Sequence, residues 1–406
     1  MSRLDELIQQ YCPDGVEYVR FVDYANVLYG CPFDAAQFTN DSSYIPLIRI
    51  RDVLSGKAGT YYKGEYSHDY IIKKGDILVG MDGNFNLGIW DDIDGLLCQR
   101  VCKLYTKDET RLLNGFIRHY MKPVFRQIEE STPGGSVKHL SAKAINSIHI
   151  PLPPLPVQEE IVRVLDAFTE LQAELQAELQ KRKQQYNYYL DNLLNFKNIN
   201  RGGYQAEVRW MKMSEVFEIR NGYTPSKAKK EFWEGGTIPW FRMEDIRQNG
   251  RILSDSILHI TPKGVKGKGL FKANSFILAT TATIGEHALI IADSLANQRF
   301  TNLSIRKSLE NELSVKYVYY YFFVIDEWCK ANTNVSNFAS VDMSKFYNLL
   351  IPIPSIAEQQ RIVAILDRFD TLTTDLTQGL PAEIEKRRQQ YEYYRDKLLT
   401  FKRKGA

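Results

Sequence analysis

The sequence predicts a mixed α/β protein in which two similar globular domains are separated by two long helices that pack as an antiparallel coiled coil. Three observations lead to this fold class. The 406-residue chain contains a long internal repeat, the repeated segments carry apolar residues at heptad spacing, and short alternating apolar runs lie between them. The length suits two or three domains of ordinary size.

The internal repeat consists of two blocks in each half of the chain. Residues 150–168 return as 351–369, an offset of 201, and residues 181–189 return as 386–394, an offset of 205. The first block reads Ile-Pro-x-Pro-x-x-x-x-Gln-x-x-Ile-Val-x-x-Leu-Asp in both copies, and the second reads Lys-Arg-x-Gln-Gln-Tyr-x-Tyr-Tyr. The second copy is therefore four residues longer between its blocks.

These blocks divide the chain into frames and inserts. We call residues 150–197 and 349–406 the frames, because they repeat, and residues 17–149 and 206–348 the inserts, because they diverge. Two flanking segments remain. Residues 1–16 contain a copy of the frame-helix end and are predicted to complete the frame in a pseudo-cyclic way, and the polar, glycine-bearing residues 198–205 are predicted to be a linker.

The first frame is predicted to be one long helix. Val157, Ile161 and Val164 begin a seam with alternating spacings of four and three. Pro156 suits the first turn of such a helix. Leucines then recur every four residues in the Leu-Gln-Ala-Glu tetrads at 171–178, a spacing that locally unwinds a coiled coil.

The second frame is predicted to be helical from about Ala357 to Phe401, with a break at Gly379–Pro381. Two apolar stripes in one chain most simply pack on each other, although each helix could instead pack only on its own domain. The residues expected in the coiled coil and its partner-docking surface are Ile161, Leu165, Phe168, Leu171, Leu175, Leu179, Tyr186, Tyr189, Ile362, Leu366, Phe369, Tyr391 and Tyr394.

Both inserts are predicted to mix strands and helices. The alternating runs Tyr44–Val53 and Ile77–Met81 are typical of strands, whereas Leu112–Phe125 and Val315–Lys330 have helical periodicity.

Composition excludes several classes of protein. The longest apolar stretch, Val318–Ile325, is far too short to span a bilayer, and the first residues lack a secretory signal pattern. Five scattered cysteines form no Cys-x-x-Cys pair, so we expect free thiols, a cytoplasmic location and no zinc ribbon. The net charge is only +3, so any surface for nucleic acid must come from local clusters of lysine and arginine.

Motifs for catalysis are also missing. Gly264–Gly269 has the glycines of a phosphate-binding loop, but Leu270 stands where its lysine should be. The six histidines show no metal-ligand spacing, and the chain contains neither Gly-x-Ser-x-Gly nor the dinucleotide-binding glycine motif. These absences argue against a nucleotide-, metal- or serine-dependent enzyme, and we expect no metal site in this chain.

A basic, glycine-rich stretch in the second insert suggests a contact with phosphate groups. Residues 226–272 contain ten Lys or Arg and five Asp or Glu, and Lys263, Lys266 and Lys268 alternate with glycines there. Such a loop lets the backbone approach a nucleic-acid phosphate, although a solvated loop is equally consistent with the pattern.

Other candidate residues lie at matching places in the two inserts. On the predicted strand, Arg49 and Arg51 share a face and correspond to Arg242 and Glu244, side chains that could read guanine and cytosine or form a surface ion pair. The remaining candidates are Lys57, Tyr61, Tyr62 and Lys63 in one loop, and Asn84, Asn86, Thr280, Thr281 and Thr283 in loops after strands. Gln99-Arg100 and Gln298-Arg299 are kept in both inserts, and serve either base reading or structure.

The two repeated blocks resemble those of the specificity subunit of type I restriction-modification systems. The resemblance covers nearly the whole chain. It implies two target-recognition domains that each read one half of a split sequence in double-stranded DNA, on a coiled coil that docks two methyltransferase subunits. It also implies that this chain has no catalytic centre and no cofactor of its own. Restriction subunits are expected to join the assembled complex, and S-adenosylmethionine, ATP and magnesium are expected in the partner subunits. Two other classes stay open, a protein-binding scaffold without DNA affinity and a self-contained DNA methyltransferase or nuclease.

Overall fold

The computed structural model describes residues 3–132, 137–196, 208–334, 339–374 and 378–405. The chain forms two compact units: unit 1 is Met1–Gln176 together with Ile384–Ala406, and unit 2 is Ala177–Glu383. Each unit thus contains one insert and part of both frames. The predicted linker, residues 198–205, lies outside the described residues.

The helices follow the predicted frames closely. Unit 1 contains α1 (Arg3–Tyr11), α2 (Phe21–Tyr24), α3 (Asn114–Ser131) and α4 (Ala142–Asn146). The 40-residue helix α5 (Leu155–Leu194) begins in unit 1 and ends in unit 2. Unit 2 contains α6 (Met213–Val216), α7 (Met243–Asn249), α8 (Val315–Ala331), α9 (Met343–Asn348) and α10 (Ile356–Thr374), and α11 (Leu380–Leu398) lies mostly in unit 1. The predicted break in the second frame is confirmed, because α10 ends before Gly379 and α11 begins after it.

Unit 1 contains two sheets and one strand pair. Its strands are β1 (Tyr18–Arg20), β2 (Ala25–Tyr29), β3 (Phe38–Thr39), β4 (Ile45–Ile48), β5 (Tyr61–Tyr62), β6 (Ile71–Ile72), β7 (Ile77–Gly80), β8 (Leu87–Ile89), β9 (Gly95–Leu97), β10 (Val101–Thr106) and β11 (His149–Pro151). The sheet orders are β2-β10-β7-β8 and β3-β5-β4-β9-β6, and β1 pairs with β11.

Unit 2 repeats this plan. Its strands are β12 (Arg209–Lys212), β13 (Phe217–Asn221), β14 (Ile238–Phe241), β15 (Ile252–Leu253), β16 (His259–Ile260), β17 (Ser275–Ala279), β18 (His287–Ile290), β19 (Leu295–Ala296), β20 (Phe300–Ile305), β21 (Thr333–Asn334), β22 (Ser340–Val341) and β23 (Leu350–Ile353). The order β13-β20-β17-β18 matches β2-β10-β7-β8 of unit 1, and the parallel pair β14–β19 matches β4–β9. The predicted repeat of a mixed α/β domain is therefore confirmed.

The frame helices are part of both hydrophobic cores. In unit 1, Val157, Ile161 and Leu165 are fully buried in the core that also contains α3. In unit 2, Ile362 and Leu366 are fully buried against the core around α8. The buried row of α5 begins with four-residue spacing, so the prediction that Val164 lies in the seam is wrong, and Leu165 takes that place.

The frames also pair with each other. In unit 1, the rings of Phe168 on α5 and Tyr394 on α11 stack with centroids 5.4 Å apart. In unit 2, Phe369 on α10 contacts the rings of Tyr186 and Tyr189 on α5, at 6.4 and 5.0 Å. The early part of α5 thus meets the late helix of the second frame and the late part meets the early helix, which is the predicted antiparallel pairing.

The glutamine of the repeated motif joins frame and insert in both units. The fully buried Gln158 donates from Nε2 to the carbonyls of Arg111 and Pro153 at 2.8 and 2.7 Å, and accepts the Leu113 N–H at 3.0 Å. Gln359 makes the same three bonds to Glu312, Pro354 and Ser314, each at 2.8 Å. One glutamine thereby satisfies three backbone groups, two of them just before α3 or α8 and the third just before α5 or α10.

The aspartate of the motif is a second joint. Asp166 accepts hydrogen bonds from Arg118 and from His119 Nε2, the latter at 2.6 Å, and the Tyr391 hydroxyl donates to Nδ1 of the same ring at 3.2 Å. Asp367 instead accepts from the Tyr320 hydroxyl and from Lys316 Nζ at 3.1 Å. The aspartate thus links frame and insert in both units, although a different residue of the insert donates the hydrogen bond.

Candidate nucleic-acid interface

A short turn after the central strand carries the same arginine in both units. β4 ends at Ile48 and a 3-10 turn over Ile50–Asp52 follows, so Arg49 and Arg51 do not share a strand face. In the same way β14 ends at Phe241 and α7 follows, which places Arg242 at the helix start and Glu244 within the helix. The predicted alternating strand face is therefore wrong in both units.

The chain turns here because an aspartate three residues on caps the turn. The backbone N–H of Arg49 donates to Asp52 at 2.9 Å, and that of Arg242 donates to Asp245 at 2.6 Å. Both carboxylates are buried. The cap uses the arginine backbone, so it leaves the guanidinium groups available for another role.

In unit 2, the turn opens onto a polar cleft of about 270 Å³. Arg242 and Glu244 line this cleft together with Gln298 and Arg299, which were predicted from separate parts of the sequence. The hydroxyl of Thr224 donates to Gln298 Oε1 at 2.5 Å and so orients its amide. The cleft thus offers cationic and amide donors beside one carboxylate, which lies 3.8 Å from Arg242 Nε.

The corresponding residues of unit 1 are also close together. Arg100 Nε lies 3.2 Å from Asp82, whose other oxygen is 2.5 Å from His139 Nδ1, and Arg100 adopts a left-handed φ of 71°. The positive charges of Arg49 and Arg100 both act on the Cys98 thiol, where they oppose the rise in pKa caused by burial. Arg49 and Arg100 therefore lie on the same side of unit 1, beside Cys98.

The basic loop of unit 2 is held by contacts at both ends. Lys263 lies 3.1 Å from Glu231, the Lys266 N–H donates to the Tyr223 hydroxyl, and the Arg220 guanidinium donates to the carbonyl of Gly269. All three lysines are exposed, but Lys263 has an acidic partner.

The loops after β7 and β17 differ in what they expose. Asn84 and Asn86 line a cleft of about 950 Å³ in unit 1, beside Lys122 and Arg126 on α3. By contrast, Thr280 is buried and its hydroxyl bonds to that of Thr301 at 3.0 Å. Thr280 is thus wrong as a contact residue, because its hydroxyl is already used in the interior. Thr281 and Thr283 are half-buried.

The loop at residues 57–63 contains a further correction. Lys57 and Lys63 are exposed and Tyr61 is half-buried. Tyr62 is 6% exposed, and its ring packs edge-on against Phe33 at 4.9 Å. Tyr62 is therefore a core residue of unit 1 and not a surface contact.

The predicted coiled-coil residues divide into buried and half-buried groups. Leu179, Tyr186 and Tyr391 are buried, in addition to the core residues above, whereas Leu171, Leu175, Phe168 and Phe369 are half-buried. Tyr189 and Tyr394 stay 37% and 39% exposed although each stacks on a phenylalanine.

The sequence reasoning missed several cleft residues. Thr224 and Lys227 line the unit 2 cleft, and Lys122 and Arg126 line the unit 1 cleft. The spacing of four between Lys122 and Arg126 was a usable signal, because it puts both cations on one helix face. No comparable signal points to Thr224.

The protein belongs to the class in which two domains share one fold but carry different polar surfaces. Comparison with known proteins identifies the family. The model of the type I restriction modification DNA specificity domain matches the chain twice, over residues 13–184 and 205–386. The chain therefore belongs to this family of specificity subunits, as its resemblance implied.

Several relatives carry the corresponding names. The EcoprrI specificity subunit of Escherichia coli is 54% identical over 204 residues, a match to 48% of this chain and about half (51%) of that relative. The EcoR124I/EcoR124II specificity subunit of E. coli is 37% identical over 358 residues, 84% of both chains. A putative subunit from Haemophilus influenzae is 28% identical over 409 residues, which covers 95% of this chain and 96% of that one.

Solved structures show the same fold at low identity. The type I specificity subunit of M. genitalium has a TM-score of 0.56 at 14% identity and covers 95% of this chain and 96% of its own. A chain from a study of complex assembly and conformational transition in the type I system has a TM-score of 0.59 at 17% identity, covering 95% and 98%.

The described residues contain neither a membrane-spanning helix nor a metal-binding cluster of side chains. No helix in this part of the chain is long and apolar enough to cross a membrane. Across the same ranges, no group of three or more His, Cys, Asp or Glu side chains is arranged to hold a metal ion.

Proposed function

We propose that this subunit reads a bipartite, asymmetric sequence in double-stranded DNA, with one half-site for each of the recognition domains 17–149 and 206–348. The observation that carries the proposal is the contrast between kept frame joints and divergent inserts. Gln158 and Gln359 make the same three bonds, whereas the residues at the matching turns of the inserts differ, with Arg51 and Cys98 in one unit and Glu244 and Asn297 in the other. Two inserts with different surfaces, each held by the frame in the same way, suit two half-sites with different base sequences.

The frames would dock two copies of one methyltransferase subunit. Tyr188 and Tyr393 occupy the same place in the repeated block and are 64% and 62% exposed. Each packs edge-on against the next tyrosine, with ring centroids 5.7 and 5.4 Å apart. Two equal exposed aromatic pairs suit two copies of one partner, and tyrosines are common anchors in protein interfaces.

This docking proposal is tested with single alanine variants. Tyr188→Ala and Tyr393→Ala should each weaken one of two methyltransferase contacts by about 2 kcal/mol, the usual cost of losing an aromatic anchor. Native mass spectrometry of the complex should then show species with one bound methyltransferase. Tyr11→Ala, a change at another exposed tyrosine, should leave two bound. Unchanged assembly in both frame variants would contradict the proposal.

Catalysis would belong to the partners. Under this proposal the chain holds no S-adenosylmethionine, ATP or magnesium, and restriction subunits join through the assembled complex. Purified chain alone should therefore neither methylate nor cut DNA, and activity from it would favour a self-contained enzyme.

DNA binding is tested directly by footprinting. The full chain, with and without its methyltransferase, is incubated with a random-sequence DNA pool, and bound molecules are sequenced. We expect two short specific elements separated by an unread spacer. The absence of salt-dependent binding would favour a scaffold that binds only protein.

A further inference from the structure

Each unit carries a kept cluster of two arginines and one glutamine at the edge of its central strands. The unit 1 cluster is Arg49, Gln99 and Arg100, and the unit 2 cluster is Arg242, Gln298 and Arg299. In each unit the cluster is assembled from two segments, the capped turn and the turn after β9 or β19. Residues beside these clusters diverge, since Arg51 is replaced by Glu244 and Cys98 by Asn297.

The fold makes little use of the side chains of Arg49 and Arg299, although the Arg49 guanidinium lies 5.8 Å from the centroid of the Phe38 ring. Asp52 and Asp245 bind the backbone N–H of the first arginine, which any residue except proline provides. Within the described ranges, neither Arg49 nor Arg299 has a carboxylate within the 4.0 Å of an ion pair. Their retention in both units therefore calls for a ligand outside the chain.

The turns that carry the clusters are held rigidly. A Cβ atom on Gly30 would lie 2.1 Å from the Cys98 carbonyl oxygen, and one on Gly222 would lie 2.2 Å from that of Asn297. The Cys31 N–H donates to the Leu97 carbonyl at 3.2 Å, and at the matching place the Tyr223 N–H donates to the Ala296 carbonyl at 2.9 Å. Close backbone packing thus fixes the same turn geometry in both units.

We propose that these two clusters bind the phosphate backbone of DNA and carry no sequence information. This inference rests on the proposed DNA-reading function. The half-sites differ in their bases, whereas the backbone is chemically the same in both, so side chains kept in both units match the part of the ligand that does not change. Arginine binds phosphate oxygens through two parallel N–H bonds, and the glutamine amide supplies a further donor.

The test is salt-dependent DNA binding by the full chain assembled with its methyltransferase. The probes are the duplex that wild type selects from a random pool and versions with one base pair changed in each half-site. Arg299→Ala and Arg49→Ala should each lower the slope of log affinity against log salt by about 0.9. The fall in affinity between 50 and 200 mM salt should thus be about threefold smaller per variant. The ratio of affinities for selected and changed duplexes should stay constant.

Two further variants sharpen the result. Arg299→Lys keeps the charge and should keep the wild-type slope while it loses affinity, because lysine cannot bind in a bidentate way. Arg247→Ala removes an exposed arginine of α7 that lies outside the cluster, and should change neither slope nor ratio.

Relaxed discrimination at one base pair in either alanine variant would overturn the inference in favour of base reading. An unchanged slope with unchanged affinity would overturn it in favour of a purely structural role. Both outcomes are distinct from failure of the proposed function, in which wild type itself would show no salt-dependent binding.

Discussion

The two units differ in the residue that donates to the frame aspartate and, away from the frame, in a buried polar cluster. In unit 1, His119 joins Asp166 to Tyr391, whereas in unit 2 Tyr320 occupies the corresponding place and donates to Asp367. Unit 2 also encloses His287, which lies 2.7 Å from Asp326, itself 3.2 Å from Arg251. The strand registers place Leu87 of unit 1 at the position of His287, and the repeat offset of 201 places Phe125 at the position of Asp326, so both counterparts are apolar.

This difference separates two kinds of constraint. The joints to the frame keep their geometry even when the donor changes, because the frame must support both inserts in the same way. The interiors of the inserts need only pack well, so they tolerate different buried groups. The predictions below test this separation.

The largest effect is expected at the kept glutamines. Gln158→Ala and Gln359→Ala each remove a fully buried amide and break one buried and two part-buried hydrogen bonds to the backbone, so each should destabilise its own unit by about 3 kcal/mol. Hydrogen exchange measured by mass spectrometry should show faster exchange in α3 for the first variant and in α8 for the second. Gln184→Ala, at an exposed position of α5, is the control. Clearly unequal losses in the two units would argue against equivalent joints.

A smaller effect concerns pH and distinguishes the two donor residues. Burial, with the nearby charges of Arg118 and Lys122, lowers the pKa of His119 to about 3, so the ring is neutral in the folded unit. An unfolded histidine gains a proton below about pH 6.5, so stability falls as pH decreases through this range, by about 2 kcal/mol between pH 6.5 and 5.

His119→Tyr, which introduces the residue of unit 2, should remove this loss from unit 1. Amide exchange in α3, corrected for intrinsic rates and measured at pH 5 and 7, is the readout. His68→Tyr changes an exposed histidine and should leave the pH dependence as in wild type. If unit 1 of the His119 variant still lost stability at acid pH, other groups would be responsible for the effect.

The smallest effect is expected in the basic loop, which has no predicted counterpart in unit 1. Changing Lys263, Lys266 and Lys268 to alanine should weaken binding to all sequences by about tenfold. Because Lys263 is paired with Glu231, the slope of log affinity against log salt should fall by the equivalent of about two phosphate contacts and not three. A triple alanine variant at the exposed residues Lys181, Lys183 and Lys307 should retain the wild-type slope. An altered base preference with an unchanged slope would contradict the phosphate assignment.

The frames were predictable because their signals are local and repeated. Heptad spacing, Pro156 near the start of α5 and the break at Gly379 each act within a few residues. The sequence predicted Leu165 correctly but also placed Val164 in the seam, and only packing against α3 in the folded unit decides between the two.

The contact surface was less predictable because tertiary contacts outweigh local pattern there. Alternation over residues 44–53 predicted a strand, but the carboxylate of Asp52 captures the N–H of Arg49 and turns the chain. Tyr62 and Thr280 have side chains suited to DNA, and both are taken up by partners distant in sequence, Phe33 and Thr301. The polar cleft of unit 2 likewise forms from segments about 55 residues apart, a relation that no local spacing encodes.

The most direct test of the central claim, one half-site for each insert, is an exchange of a single insert. Residues 17–149 are replaced by the matching insert of another family member, and methylated bases in host DNA are mapped in cells that carry the methyltransferase. The account predicts that one half-site changes while the other half-site and the spacer stay as in wild type. A change in both half-sites would mean that the units read DNA jointly, and would contradict the account.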